Sequence, residues 1–194
     1  MANVHTLTLG SFQTNTYILQ NGSRCVIIDP GYEPDTIESF LQAHKLTADA
    51  ILLTHGHFDH VGGVRQLAAD LECPVYIHEA DLALPPQLTA GTLYYTDLYA
   101  EGDTVSPAGL DIRVLHTPGH TPGSVCLLCE NNMFSGDTLF AGGCGRTDLP
   151  GGSWTTIAKS LKRLAALEEN YRVWPGHAEP TTLDGEKKYN PYMQ

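Results

Sequence analysis

The chain has 194 residues, of which 42% are hydrophobic, and this size and composition fit one globular domain over residues 1–194. Its formal net charge of −11 disfavours nucleic acids and anionic membranes as partners, because both are negatively charged. No apolar run reaches about 18 residues, and the first residues lack the basic and apolar segments of a signal peptide, so we expect a cytoplasmic protein.

The hydrophobic pattern changes repeatedly between strand and helix periods. In chain order, the predicted elements are strands over residues 4–9, 17–20 and 25–28, a helix over 34–44, a strand over 50–53, a helix over 63–71, strands over 75–78, 112–115, 124–128 and 133–134, a helix over 154–167, and a strand over 172–174. Residues 81–101 give no clear pattern, although tyrosines there could pack or line a cleft. The mixture predicts one α/β domain of layered sheets and helices.

Five cysteines are scattered along the chain, and their odd number and spacing do not predict a disulfide framework. Cys126 and Cys129 form a C-x-x-C sequence inside an apolar, strand-like run. Residues three apart on a strand point to opposite faces of its sheet. We therefore expect ordinary core cysteines there rather than a metal or redox pair.

The clearest functional signal is the segment H-G-H-F-D-H, which follows the predicted strand over residues 50–53. Its three imidazoles and one carboxylate are ligands that zinc and neighbouring divalent metals accept. In an extended segment, His55 and His57 project to the same side and can hold one ion together. Asp59 and His60 follow where the chain turns, so they can face a second ion. The pattern predicts a metal site rather than a histidine-rich surface loop.

Three further candidate ligands lie in turns after strand-like runs. His120 lies in T-P-G-H-T-P-G, Asp137 in S-G-D-T and His177 in P-G-H. A glycine beside each of them lets the backbone turn sharply and approach closely. We predict that all three side chains belong to the same site.

Taken in this order, the four motifs resemble the metallo-β-lactamase superfamily over residues 55–177. The resemblance implies an αββα sandwich with two metal ions at one edge of its two sheets. By motif position, it implies a first metal site of His55, His57 and His120, a second site of Asp59, His60 and His177, and Asp137 as the bridge.

Two other polar residues, His116 and Asp29, lie near these motifs but are not predicted to bind metal. The family motif gives the ligand role to the histidine after Pro-Gly, so we interpret His116, four residues before His120, as a packing residue near the site. Asp29 lies in an I-D-P-G sequence that resembles the family's D-P-G turn. We expect it to support the metal loop from behind through hydrogen bonds.

Such a centre would hold two divalent ions, with zinc the first expectation and iron or manganese also compatible with the ligands. The ions outweigh the charges of Asp59 and Asp137, so the site would attract a polarised carbonyl. Water held between two such ions loses a proton near neutral pH, and this would provide the nucleophile. We therefore predict hydrolysis in which Asp59 and Asp137 act as catalytic metal ligands. The sequence has no G-x-S-x-G motif for a nucleophilic serine.

The segment S-G-D-T-L-F-A-G-G-C-G-R, residues 135–146, resembles glyoxalase II, which hydrolyses S-D-lactoylglutathione to D-lactate and glutathione in methylglyoxal detoxification. The resemblance implies that Arg146 contacts the glutathione carboxylate, and a guanidinium suits that contact. The ending E-x-x-x-N-P-Y resembles short bacterial glyoxalase II-like enzymes, which lack the C-terminal helical domain of the long enzymes. In its absence, Lys187 and Lys188 are candidates for supplying positive charge.

Other functions of the same fold remain open. A persulfide dioxygenase would use a single iron and the first-site ligands, and a di-iron redox or binding module would work with a flavin-bearing partner. A secreted β-lactamase is disfavoured because there is no export signal, and an RNA-processing nuclease is disfavoured by the charge of −11. We predict a thioesterase acting on a glutathione thioester. No feature of the sequence sets the oligomeric state.

Overall fold

The computed structural model of the protein describes residues 1–89 and 91–194. Its strands, β1 to β14 in chain order, are Asn3–Leu9, Thr14–Asn21, Arg24–Ile28, Thr47–Leu52, Val75–His78, Asp97–Tyr99, Thr104–Val105, Ile112–His116, Val125–Cys129, Asn132–Gly136, Leu139–Phe140, Gly143–Cys144, Arg172–Pro175 and Thr181–Thr182. Its α-helices, α1 to α5, are Pro34–His44, Phe58–Val61, Val64–Leu71, Trp154–Ala165 and Leu183–Tyr189. Two short 3₁₀ helices cover Glu79–Ala83 and Pro107–Gly109.

Twelve of the strands form two six-stranded sheets. The first has the order β1-β2-β3-β4-β5-β6, and the second has the order β14-β13-β10-β9-β8-β7. Strands β3 to β6 run parallel to one another, and so do β10 and β13. Strand β8 also runs in the direction of β10, because both are antiparallel to β9. Several loops therefore leave each sheet from the same edge.

Successive side chains of each strand point to opposite faces of its sheet, and they form three hydrophobic layers: one between the two sheets and one under the helices on each outer face. In β3, Ile27 packs with Ile37 of α1 and Leu67 of α3, whereas Ile28 faces the second sheet. In the second sheet, Leu128 packs with Leu161 of α4. The order of layers is helix, sheet, sheet, helix, and this confirms the predicted αββα sandwich.

Most predicted elements are present, and the differences have local causes. Strand β2 begins at Thr14 rather than at residue 17, because its first polar side chains are buried and hydrogen-bonded. Thr16, for example, donates its hydroxyl to the carbonyl of Asp29 over 2.9 Å. The helix predicted over 63–71 begins at Val64 and follows a separate turn of helix, α2. Helix α5 and the β11–β12 hairpin were not predicted.

The stretch that gave no pattern forms the first 3₁₀ helix and the edge strand β6. Tyr99 is buried in the layer between the sheets, and its hydroxyl donates to the carbonyl of Leu53. It is therefore a core residue. In the part of the chain that the structure describes, no helix has both the length and the apolar character needed to cross a membrane.

Cys126 packs in the helix-covered layer and Cys129 in the layer between the sheets, which confirms that they are core cysteines on opposite faces of β9. Burial raises the pKa of Cys126 to about 12 and that of Cys129 to about 11. All five cysteines are free thiols, and only Cys144 is not fully buried.

We expect a chromogenic disulfide reagent to detect five thiols in urea without any reductant, because no cysteine is oxidised. In the folded protein we expect Cys144 to react first, and Cys144→Ser to remove that fast phase. A count of three in urea would indicate a disulfide and contradict the structure.

Candidate metal centre

The directions of the strands bring the predicted ligands to one edge of the sandwich. His55 lies three residues beyond the end of β4, and His120 lies in the loop after β8. Asp137 follows β10 directly, and His177 lies two residues beyond β13. Because these strands point the same way within each sheet, their carboxyl ends meet. Residues far apart in the sequence are thus placed in contact.

The first cluster consists of His55, His57 and His120. All three imidazoles are buried, and one ring nitrogen of each lies within 4.8 Å of the others. His57 Nδ1 is 2.8 Å from His120 Nε2. The structure therefore brings together the three residues predicted for the first metal.

The second cluster consists of Asp59, His60 and His177, whose ligand atoms also lie within 4.8 Å of one another. His177 Nε2 is 3.2 Å from Asp59 Oδ2 and 3.4 Å from His60 Nε2. Asp59 and His60 both lie on helix α2, whose position requires Gly31. A side chain at Gly31 would collide with the carbonyl of Asp59.

Asp137 lies between the two clusters. Its Oδ1 is 3.4 Å from His60 Nε2, and its Oδ2 is 3.5 Å from His120 Nε2 and 3.6 Å from His177 Nε2. One carboxylate thus reaches histidines of both clusters, as expected of the predicted bridge.

Hydrogen bonds on the outer side of the rings orient three of the histidines. Their Nδ1 atoms donate over 2.8 to 3.1 Å: His60 to the carboxylate of Asp29, His120 to the carbonyl of Arg146, and His177 to the carbonyl of Phe12. Because each acceptor needs a proton on Nδ1, the unprotonated Nε2 faces the cluster. This is the tautomer that binds a metal through Nε2.

Asp29 organises the metal loop from behind, which confirms its predicted supporting role. Besides His60, it accepts the backbone N–H of Thr54 over 2.7 Å and the Thr54 hydroxyl over 2.5 Å. The hydroxyl of Thr54, having donated to Asp29, accepts from Nδ1 of His55 over 3.2 Å. Asp29 also lies within ligand distance of His55 and His60. Since its oxygens are already engaged, we assign it to support rather than to metal binding.

Unpaired buried atoms test whether these residues fit divalent metals. His55 Nε2 and Asp137 Oδ1 are buried without a hydrogen-bond partner among the described residues. An unsatisfied buried polar atom costs about 1–3 kcal/mol. A bound cation would satisfy both atoms, and imidazole with carboxylate suits zinc, iron or manganese. The residues therefore fit a pair of divalent ions.

The electrostatics of the two clusters differ. Burial, and then the neighbouring histidines, lower the pKa of His55 well below its ordinary value and that of His57 to about 4. Both rings are thus neutral near pH 7, which is the form that binds metal. Burial also lowers the pKa of His60, but the carboxylates of Asp137 and Asp29 outweigh it and raise that pKa well above its ordinary value. The carboxylates therefore favour positive charge at the second cluster, which either a proton on His60 or a bound cation in its place would supply.

Asp81 is a buried residue of the site that no sequence motif indicates. Its Oδ2 accepts from the backbone N–H of Gly56 over 2.7 Å and from the hydroxyl of Thr121 over 2.9 Å, and its Oδ1 accepts from Gly123 N–H over 2.5 Å. Gly56 separates two first-cluster histidines, and Thr121 follows the third, His120. Asp81 therefore joins the two loops that carry the first cluster. It follows β5 within a stretch without motifs, so only its position after a parallel strand could have indicated it.

We expect Asp81→Asn to weaken metal binding at the first cluster about 10- to 100-fold. The amide of asparagine has only one oxygen, so its N–H₂ group would face a backbone N–H that has lost its acceptor, and the loop would shift. Competition with a chromogenic chelator would measure this loss. Asp49→Asn is the matched control, since Asp49 accepts a backbone N–H from Ala108 far along the same sheet. Metal affinity equal to that of the wild type in a folded Asp81→Asn protein would contradict this role.

Arg146 lies at the rim of a cavity of about 320 Å³ that reaches both clusters. Its carbonyl holds the ring of His120, whereas its guanidinium makes two hydrogen bonds of 2.7 and 2.8 Å to Asp148. Both side chains are largely exposed, at 61% and 67%. Arg146 thus has a structural contact through its backbone, and its side chain remains within reach of a ligand in the cavity.

The C-terminal motif has a structural role at the edge of this cavity. Glu186 accepts the N–H of Gly142 over 2.8 Å, and Asn190 donates to the carbonyls of Phe140 and Gly143. Both side chains are buried. They hold the β11–β12 hairpin, which carries Phe140 into the cavity wall.

The suggestion that Lys187 supplies charge to the substrate site is wrong. Its ammonium donates to the carbonyl of Leu167 and to Asp184, so it is engaged at the end of helix α4. Lys188 lies over the ring of Tyr189, with its Nζ 4.9 Å from the ring centroid. Neither lysine lines the cavity in the described part of the chain.

His116 has the packing role that was predicted. Its ring stacks on that of His78, with centroids 4.2 Å apart, and its Nε2 hydrogen-bonds the carbonyl of Pro122. It belongs to neither ligand cluster formed by the described residues.

An αββα sandwich with two adjoining imidazole and carboxylate clusters at one edge defines a class of metal-dependent hydrolases. Residues 9–177 match the family model of the metallo-β-lactamase superfamily, and the chain belongs to this superfamily.

Three similar proteins extend the comparison. The hydroxyacylglutathione hydrolase GloC of Haemophilus influenzae is 32% identical, over 98% of each chain. The crystal structure of the B3 metallo-β-lactamase BLEG-1 has a TM-score of 0.93 at 35% identity and covers 99% of this chain and 100% of its own. The structure of TTHA1623 in a di-iron-bound form has a TM-score of 0.88 at 39% identity and covers 97% of this chain and 99% of its own.

Proposed function

We propose that the protein is a binuclear metal-dependent thioesterase of the glyoxalase II type, which hydrolyses S-D-lactoylglutathione or a similar hydroxyacyl thioester. The main support is geometric: two ligand clusters share Asp137, and both open into one cavity with Arg146 at its rim. The similarity to a named hydroxyacylglutathione hydrolase supports the same choice. The five free cysteines favour a reducing compartment such as the cytoplasm.

In this proposal His55, His57 and His120 would hold the first ion, Asp59, His60 and His177 would hold the second, and Asp137 would be shared between the two sites. When bound, two divalent ions polarise a carbonyl and provide hydroxide near neutral pH. The chain contributes fixed ligand orientations, through Asp29, Asp81 and the backbone carbonyls, so little reorganisation is needed during the reaction.

The pairing of Arg146 with Asp148 leads to two mutations of opposite effect. We expect Arg146→Ala to raise the KM for a glutathione thioester about three- to tenfold with little change in kcat, as for loss of uniform binding. Asp148→Asn should lower that KM, because it frees the guanidinium for the substrate carboxylate. Neither variant should change the KM for a thioester of an uncharged thiol. An unchanged KM in Arg146→Ala would remove Arg146 from the substrate site.

Two other functions are supported by particular observations. A mononuclear iron dioxygenase acting on a persulfide would need only the first cluster, whose three histidines are fully buried, whereas His177 of the second is partly exposed. Hydrolysis of a β-lactam amide is supported by the similarity to BLEG-1.

One set of assays on purified, metal-analysed protein tests the proposal against both. We expect cleavage of S-D-lactoylglutathione with about two metal ions per chain. Oxygen uptake with glutathione persulfide and one iron would show the dioxygenase instead. Faster cleavage of a cephalosporin than of the thioester would show the β-lactamase.

A further inference from the structure

The cavity beside the two clusters is apolar apart from the predicted ligands and Arg146. Five half-buried or exposed hydrophobic side chains line it: Phe12, Phe58, Leu88, Phe140 and Leu149. Such a wall stabilises a ligand by removing apolar surface from water. Among the described lining side chains, only the ligand groups and Arg146 could hydrogen-bond a substrate hydroxyl.

Each of the three phenylalanines that line the cavity adjoins a residue of the second cluster. The rings of Phe12 and Phe58 meet edge to face with centroids 5.2 Å apart, and Phe58 directly precedes the ligand Asp59. Phe12 is joined to His177 through its carbonyl, and the ring of Phe140 lies 6.3 Å from that imidazole. An apolar corner therefore adjoins the second cluster.

Arg146, by contrast, adjoins the first cluster. Arg146 is joined to His120 of the first cluster through its carbonyl, and apart from the ligand histidines its guanidinium is the one basic side chain among the described residues that line the cavity. A thioester with an anionic thiol half would place that half towards Arg146. Its acyl half would then extend towards the phenylalanines.

We propose that the site selects thioesters with an apolar acyl chain, longer than lactoyl, that packs in the corner formed by Phe12, Phe58 and Phe140. The proposal rests on the thioesterase function argued above and specifies its substrate class. A hydroxyl on the acyl group has no dedicated partner in this corner. Each methylene buried there contributes up to about fourfold to kcat/KM, the equivalent of about 0.8 kcal/mol.

A series of glutathione thioesters tests the proposal, with propanoyl, pentanoyl and heptanoyl groups beside D-lactoyl. The three alkyl esters have similar carbonyl reactivity, so differences in kcat/KM report binding of the chain. We expect a rise of about two- to fourfold per methylene until the corner is filled. A flat or falling series in an enzyme that cleaves S-D-lactoylglutathione would overturn the proposal alone. Failure to cleave any thioester would instead overturn the proposed function.

Substitution of Phe12 tests whether the dependence of kcat/KM on acyl chain length arises in this corner. Phe12 is 57% exposed, so Phe12→Ala should fold normally, keep its backbone bond to His177 and flatten the dependence on chain length. Phe12→Leu should restore most of the slope. Tyr189→Ala is the matched control, because Tyr189 is 73% exposed and does not line the cavity. The same slope in Phe12→Ala as in the wild type would also overturn the proposal.

Discussion

The site depends on two buried carboxylates that bind loops together without lining the cavity. Asp29 and Asp81 are both almost fully buried, and each accepts three hydrogen bonds. Asp29 fixes the beginning of the metal loop and one histidine of the second cluster, and Asp81 ties that loop to the one after β8. A buried carboxylate with unpaired oxygens would be costly, so each network is stable only when its loops are in place. The same bonds that compensate for burial therefore fix the ligand geometry.

The sequence predicted correctly those features for which metal-binding residue types occur at a characteristic spacing. Imidazoles and a carboxylate one or two residues apart after a strand predicted the first ligands, and the order of the motifs predicted the αββα fold. Asp81 could not be found in this way, because its partners are a hydroxyl and two backbone N–H groups from distant segments. Gly123 lets the backbone come close to the carboxylate of Asp81, because any side chain at this position would collide with it. Contacts of this kind leave no periodicity or motif in one sequence.

The same limit applies to the ends of several elements. Strand β2 begins with polar residues that a hydrophobic pattern excludes, and their burial depends on acceptors from distant segments: Asp29 for Thr16, and the carbonyls of Pro175 and Ala178 for Asn15. Helix α5 is short and polar on its surface, and it is fixed by Glu186 and Asn190 through bonds to the β11–β12 hairpin. The tail motif was recognised from sequence as a family feature. Its physical task, holding a cavity wall, required the positions of its partners.

Charge and shape together indicate how this centre distinguishes substrates. The chain carries a net charge of −11, so its long-range field opposes anions, and local attraction must come from the metal ions and Arg146. Arg146 already has a partner in Asp148, whose pKa is lowered to about 2 by the guanidinium, and an anionic substrate must compete with that carboxylate. The phenylalanine corner has no such competitor, and its contribution does not weaken with salt. For the proposed thioesterase we therefore expect selectivity among substrates to depend more on the apolar wall, and the reaction to depend on the metal-binding residues and the buried carboxylates that support them.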